Sequence, residues 1–228
     1  MSKRVVVVGA SQGIGAEIVH IFAEKKYEVL ALARNIEKLD DQFKGLENVK
    51  CFPFDLSSNV RKQAKEVFQS FGTFDILINN AGLLINKPFT DLTENDLTQS
   101  YQVNVVGVMQ TVQEALPFLN QEGSHIVNIS TMGGFQGSMK FGGLSAYSTS
   151  KAALCSFTEL FSEEYKESNI AMNCLCLGAV QTEMLEAAFP GYQAPLSAKE
   201  MATFITDFSL EAHKYLRGKI IPVSLSNP

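Results

Sequence analysis

The chain has few of the residues from which metal centres and disulfide frameworks are built. Its 228 residues include three histidines and four cysteines. His20, His125 and His213 stand at no ligand spacing from a cysteine, so no metal site is expected. Cys51, Cys155, Cys174 and Cys176 are scattered through apolar stretches, and only Cys174 and Cys176 share a face of a strand-like run. All four read as small core residues in a reducing compartment, taken as the cytoplasm. Positive charge is also in short supply. The formal net charge of -5 leaves no basic excess for a general nucleic-acid binder. No apolar run reaches the length of a membrane span, so neither nucleic acid nor membrane is expected as a partner. The start, Met1-Ser2-Lys3-Arg4, is basic, but the apolar run of Val5 to Val8 is too short for a signal-peptide core. Asn128-Ile129-Ser130 matches a glycosylation acceptor inside an apolar run and is discounted.

What is present is an alternation of strands and helices. Residues 4–9 read as a strand covered on both faces, because four consecutive valines suit the interior of a parallel sheet. Further strands are expected at 27–33, 49–54, 75–78, 124–130, 171–177 and 219–223. Helical patterns follow the first strand and fill 60–71, 93–119, 146–165 and 197–210. This order predicts an α/β fold with a doubly wound parallel sheet of about seven strands, helices on both faces, in one domain over residues 1–228.

The first strand runs into Gly9-Ala10-Ser11-Gln12-Gly13-Ile14-Gly15, and a helix and second strand follow. In such a unit of about 30 residues a glycine loop binds phosphate. Glycines let the backbone approach a pyrophosphate, and the helix N-terminus presents free N–H groups. Gly9, Ser11, Gln12, Gly13, Ile14 and Gly15 are therefore cofactor candidates. Dinucleotide sites for NAD place an acid at the end of the second strand. Here that position reads Ala33-Arg34-Asn35, with no carboxylate. Arg34 can fork onto a 2′-phosphate, a charge-assisted contact of about 1.5–3 kcal/mol, which favours NADP(H) over NAD(H).

A second local signal is Tyr147-Ser148-Thr149-Ser150-Lys151, early in a long helical stretch. Residues four apart share a helix face, so Tyr147 and Lys151 are neighbours. A phenol starts at a pKa of about 10, and bringing it to about 7 needs about 4 kcal/mol. One positive charge about 4 Å away, at an effective dielectric of ~20, supplies roughly that amount. The pair is thus expected to do acid–base work near neutral pH.

With these pieces in order, the chain resembles the ordinary single-domain subgroup of the short-chain dehydrogenase/reductase family, with its NADP-dependent carbonyl and 3-oxoacyl reductases. The likeness runs over essentially the whole chain. It rests on five ordered signatures: Gly9-x-x-x-Gly13-Ile14-Gly15, Asp55, Asn79-Asn80-Ala81-Gly82, the hydroxyl residue ending the fifth strand, and Tyr147-x-x-x-Lys151. The resemblance implies that Tyr147 exchanges a proton with the carbonyl oxygen as hydride moves from the nicotinamide. Lys151 would hold the nicotinamide ribose and lower the Tyr147 pKa, and Asn104 would hold a relay water. Asp55, with Leu56 beside it, would hold the adenine. Asn80, Ala81 and Gly82 would line the cofactor, and Gly178, Val180 and Thr182 would meet the nicotinamide end.

Three departures qualify it. The family ends its fifth strand Ser-Ser, the second being catalytic, and this chain reads Ser130-Thr131. Thr131 aligns, but the segment from Met132 to Ala146 is longer than usual and glycine-rich, so Thr131 is favoured and Ser130 stays open. The family's Pro-Gly after the sixth strand is Leu177-Gly178 here, and losing the proline frees φ and restores a backbone donor. The substrate lid, around residues 183–200, is short and the chain stops soon after the last strand, at Ser224-Leu225-Ser226-Asn227-Pro228, so a more open pocket is expected.

The expected function is an NADP(H)-dependent oxidoreductase that interconverts a carbonyl and a secondary alcohol, with reduction as the working direction. Met132, Phe135, Phe141, Leu144, Met184, Leu185, Phe189 and Tyr192 would face an apolar, small-molecule substrate; thioester, ketone, quinone and pteridine carbonyls all stay open. The alternative is a cofactor-binding regulator or scaffold without turnover. The resemblance also implies a homodimer or homotetramer formed through the helices around Asn104 and Tyr147, with Leu154, Phe157, Leu160 and Phe161 as a candidate face.

Overall fold

In the computed structural model, which describes residues 3–225, β1 is Arg4–Val8 and its four valines are fully buried. Met1 and Ser2 of the basic start, and Ser226 to Pro228 of the chain end, lie outside the described residues. The other strands of the sheet are β2 (Glu28–Ala33), β3 (Val49–Pro53), β4 (Ile76–Asn79), β5 (Ser124–Thr131), β6 (Ile170–Leu177) and β9 (Ile220–Val223). All seven are parallel, in the order β3-β2-β1-β4-β5-β6-β9. The chain moves outward from β1 to β3, then returns to β4 on the other side of β1. Loops leaving the adjacent C-terminal ends of β1 and β4 diverge there, and such a switch point is where open parallel sheets bind ligands.

The strands alternate cleanly between two cores, as the two-residue period of a strand requires. Val5, Val7, Val29, Ala31, Ile76 and Ile78 face one core with α1 (Gly13–Glu24) and α8 (Ala198–Glu211). Val6, Val8, Leu30, Leu32, Leu77 and Ile126 face the other, with α3 (Val60–Phe71), α5 (Gly107–Ala115) and α6 (Ser145–Glu164). A valine run buried on both faces is thus two half-cores joined by one backbone.

Three stretches differ from expectation. The helix expected over 93–119 is α4 (Glu94–Tyr101), a π-helical turn (Gln102–Val106) and α5, ending in a 3-10 turn at Leu116–Phe118. A seven-residue helix, α2 (Ile36–Gln42), lies between β2 and β3 where none was expected, capped by Asn35. In the segment expected to form a lid, α7 (Glu183–Ala188) is flanked by β7 (Val180–Gln181) and β8 (Leu196–Ser197), which pair as a separate two-stranded ribbon.

Leu154 and Phe161 belong to the second core and Phe157 packs against it, so the candidate α6 face divides: Leu160 alone stands well exposed, at 67%.

Candidate active site

A cleft of about 1000 Å³ opens along the C-terminal edge of the sheet. Its floor at one end is the glycine loop. Gly9 has φ +88°, and a Cβ there would stand 2.6 Å from the Ala81 backbone. A Cβ on Gly15 would stand 2.0 Å from the Gly9 carbonyl oxygen, so α1 meets the loop only because residue 15 is glycine. Asn80 Nδ2 donates to that same carbonyl at 2.9 Å. The first turn of α1 has no side-chain cap, whereas Asn35, Thr93, Thr182 and Ser197 cap α2, α4, α7 and α8. Uncapped N–H groups facing a backbone-walled cradle suit an anionic ligand.

Gly9, Ser11, Gln12, Gly13, Ile14, Arg34, Asp55, Leu56, Asn80, Ala81, Gly82, Gly178, Val180 and Thr182 all line the cleft; Gly15 lies behind it. Arg34 and Lys38 stand together at one end, and Lys38 Nζ donates to Gln12 Oε1 at 2.7 Å. Lys38 was missed in the sequence because the helix carrying it was missed. Asp55 Oδ1 accepts from the Ser57 N–H at 2.8 Å. Gly178 donates its N–H to Val223 at 2.9 Å, and Leu177 pairs with Val223, so β6 runs to its last residue without the family proline.

At the other end, Tyr147 and Lys151 rise from the first turns of α6 into the cleft. Lys151 is buried, and its Nζ donates to the Ile129 carbonyl at 2.8 Å. Burial pushes the Tyr147 phenol up to about 12 and the Lys151 ammonium down to about 8. The expected pull of Lys151 on the phenol toward neutrality is therefore not the ruling effect. The ammonium is turned toward a strand carbonyl, and desolvation favours the uncharged form of each group.

Ser130 and Thr131 both line the cleft, but as neighbours on β5 they point to opposite faces. Ser130 is buried and its Oγ donates to the Lys151 carbonyl at 2.9 Å, whereas the half-buried Thr131 Oγ1 accepts from the Gly133 N–H at 3.4 Å. Asn104 does not line the cleft. It is buried in the π-helical turn, its Oδ1 accepts from the Leu83 N–H at 2.8 Å, and its Nδ2 donates to the Leu83 carbonyl and Ser150 Oγ, both at 2.9 Å. Its side chain is thus committed to holding the loop after Gly82 against α6. π-turns cluster at such functional positions.

Of the expected substrate-facing residues, Met132, Phe141, Leu144, Met184, Leu185, Phe189 and Tyr192 line the cleft. Phe135 does not; it packs on Cys155, Cys174 and Cys176, which form one buried cluster. The scattering of these cysteines along the chain is undone by the fold, which sets α6 across β6. Leu84, Gln99, Val103 and Met139 also line the cleft, and no local pattern marked them.

The model of the short chain dehydrogenase family matches residues 3–193. An uncharacterized oxidoreductase of Staphylococcus aureus strain MW2 is 31% identical over 205 residues, 88% of this chain and 87% of that protein. Carbonyl reductase family member 4 of Xenopus laevis is 30% identical over 187 residues, 81% of this chain and 78% of that protein. Among solved structures, a short chain dehydrogenase from Burkholderia cenocepacia in complex with NADP superposes with a TM-score of 0.87 at 26% identity, over 97% of this chain and 96% of that one. The parallel seven-stranded sheet, its glycine loop and these matches agree, and the chain is an oxidoreductase of the short-chain dehydrogenase/reductase family.

Proposed function

We propose that the protein is an NADP(H)-dependent reductase that converts a carbonyl of an apolar small molecule to a secondary alcohol, with Tyr147 as proton donor. The observation that carries this reading is one continuous cleft: glycine loop and Arg34 at one end, Tyr147 and Thr131 at the other. Gly9 to Gly13, Asp55, Asn80 to Gly82, Lys151, Gly178, Val180 and Thr182 would hold the cofactor, which when bound supplies hydride. Arg34 and Lys38 would hold its 2′-phosphate, and the NADP complex of the Burkholderia relative supports that preference.

Tyr147 stays protonated across neutral pH, which suits donation to a carbonyl oxygen. Thr131, whose hydroxyl keeps a free hydrogen-bonding capacity, orients that oxygen. Lys151, with its depressed ammonium, exchanges protons in the neutral range. Asn104 positions the wall rather than touching substrate. The lid over residues 183–200 presents Met184 and Leu185 to the substrate. No helix among the described residues is long and apolar enough to cross a membrane, and we place the enzyme in the cytoplasm as a homodimer or homotetramer. Exposed Leu160 on α6, with Val106 and Met109 at and beyond the π-turn, supports such an interface.

The test is consumption of NADPH and, separately, NADH over a panel of ketones, thioesters and quinones. Turnover with NADPH that vanishes in Tyr147→Phe is expected. Equal turnover with NADH would overturn the role of Arg34. Saturable NADPH binding without turnover would favour a regulator.

A further inference from the structure

Beneath the cleft, three cysteines from two elements meet. Cys155 lies on α6, one turn after Lys151, and Cys174 and Cys176 project from one face of β6. All three are buried, at 8%, 0% and 0% exposure. The Cys155 Sγ stands 3.9 Å from Cys174 Sγ and 3.6 Å from Cys176 Sγ, and the three sulfurs lie within 4.8 Å of one another. A metal–thiolate bond of about 2.3 Å sets sulfur–sulfur edges at about 3.8 Å in a tetrahedral site and about 4.0 Å in a trigonal one. The two edges from Cys155 already have that spacing and the third is within 4.8 Å, so an ion could be taken between the sulfurs by small side-chain adjustments.

The surroundings add to the geometry. Met132 packs on the cluster and brings a thioether, a second soft donor type. Ser130 Oγ accepts from the Cys155 thiol at 3.4 Å and supplies a hard alternative. Met132 and Ser130 both also line the cleft, so the cluster lies one layer of side chains behind it. No histidine or carboxylate belongs to the cluster, which excludes the donor sets preferred by hard cations.

We propose that Cys155, Cys174 and Cys176 form a binding site for a soft, thiophilic d10 cation, distinct from the nucleotide cleft and sharing Ser130 with it. Binding exchanges thiol protons for metal–sulfur bonds, with no change of oxidation state. The site ties α6 to β6 directly behind Lys151, so loading it stiffens the wall that carries the acid–base pair.

The experiment uses the full-length protein, reduced and freed of metal, titrated with Cd2+ alone. A thiolate-to-cadmium charge-transfer absorption that saturates at one equivalent per chain is expected, with a rise in Tm, because binding to the native state alone stabilises it. Cys155→Ala and Cys176→Ala should each abolish the one-equivalent step, and Cys51→Ser, on the distant β3, should keep it. Zn2+ should compete with Cd2+ only in large excess, and Mg2+ should not displace it at all. Absence of the band in the parent protein, its loss in Cys51→Ser, or displacement by Mg2+ would each overturn the site. If the core variants fail to fold, 113Cd resonance on the parent protein decides the matter: a shift in the sulfur-rich range supports the assignment, and one in the oxygen–nitrogen range sinks it.

Discussion

At the N-terminal edge of β5, His125 is 1% exposed and both its ring nitrogens are engaged, Nδ1 with the Ser209 carbonyl at 3.0 Å and Nε2 with Asn173 Nδ2 at 2.9 Å. Asn173 also donates to the Leu216 carbonyl and accepts from the Lys219 N–H. At the C-terminal end of the same strand, Thr131 lines an open cleft together with Tyr147 of α6, and the Tyr147 hydroxyl has no hydrogen-bond partner among the described residues. One strand therefore ends in two kinds of polar chemistry. Groups satisfied by the chain itself fix the fold, and groups left facing the cleft are available to a ligand. Substitutions at the two edges should separate activity from stability.

The largest separation is expected at Tyr147. Tyr147→Phe removes one oxygen that no other side chain holds, so denaturation should be unchanged within about 0.5 kcal/mol. Turnover should fall by about 10²–10⁴-fold, the usual scale of a general acid. Urea melts and kcat/KM on the same preparation check both halves. A comparable loss of stability would mean that the hydroxyl is structural after all.

His125 should show the opposite behaviour. Burial pushes its pKa from 6.5 to about 4, while in the unfolded chain it returns to its ordinary value. Between those pH values the unfolded chain binds a proton that the native state refuses. Stability is therefore highest above pH 6.5, falls as the pH drops toward 4, and loses about 3 kcal/mol in that window. His213, whose ring centroid lies 5.5 Å away, is also pushed down by burial and adds to the slope. Urea melts at pH 7 and pH 4.5 should show the loss, and His125→Gln should flatten it. Parallel pH curves for the two proteins would refute this account.

Arg34→Ala gives a smaller effect, confined to one edge. It should weaken NADPH by roughly ten- to hundredfold relative to NADH, with no change in Tm. If Lys38 shares the phosphate, the loss lies at the low end and Lys38→Ala completes it. A coenzyme titration followed by fluorescence reads this without turnover.

The two edges also differ in how far they could be read from the chain. Gly9 to Gly15 and Tyr147 to Lys151 carry their geometry in local spacing, a loop entering a helix and one helical turn, so the sequence sufficed. Lys38 and Asn104 were harder for opposite reasons. The seven-residue α2 is too short for a periodic signal. The residues around Asn104 look like continuous helix until the Leu83 peptide, from another element, takes both ends of its amide. The sequence places Cys155 nineteen residues from Cys174, and only the packing of α6 on β6 joins them. Phe135 looked substrate-facing because its loop is, yet its ring turns inward. Patterns show which residues are apolar or polar, and packing decides what they face.

The smallest effect is the sharpest test of that lesson, because Ser130 and Thr131 are adjacent and both carry hydroxyls. Ser130 is the structural one: its Oγ bridges the Lys151 carbonyl and the Cys155 thiol. Ser130→Ala should lower stability by about 1 kcal/mol, the net worth of a buried hydrogen bond, and leave most of kcat/KM. Thr131 faces the cleft, so Thr131→Ala should leave the melt unmoved and cut kcat/KM, while Thr131→Ser, which keeps the oxygen, should restore much of it. The reverse pattern would turn the β5 terminus over by one residue and hand the substrate to Ser130. Full activity in both alanine variants would mean that neither hydroxyl touches the reacting carbonyl and that Tyr147 works alone at this corner.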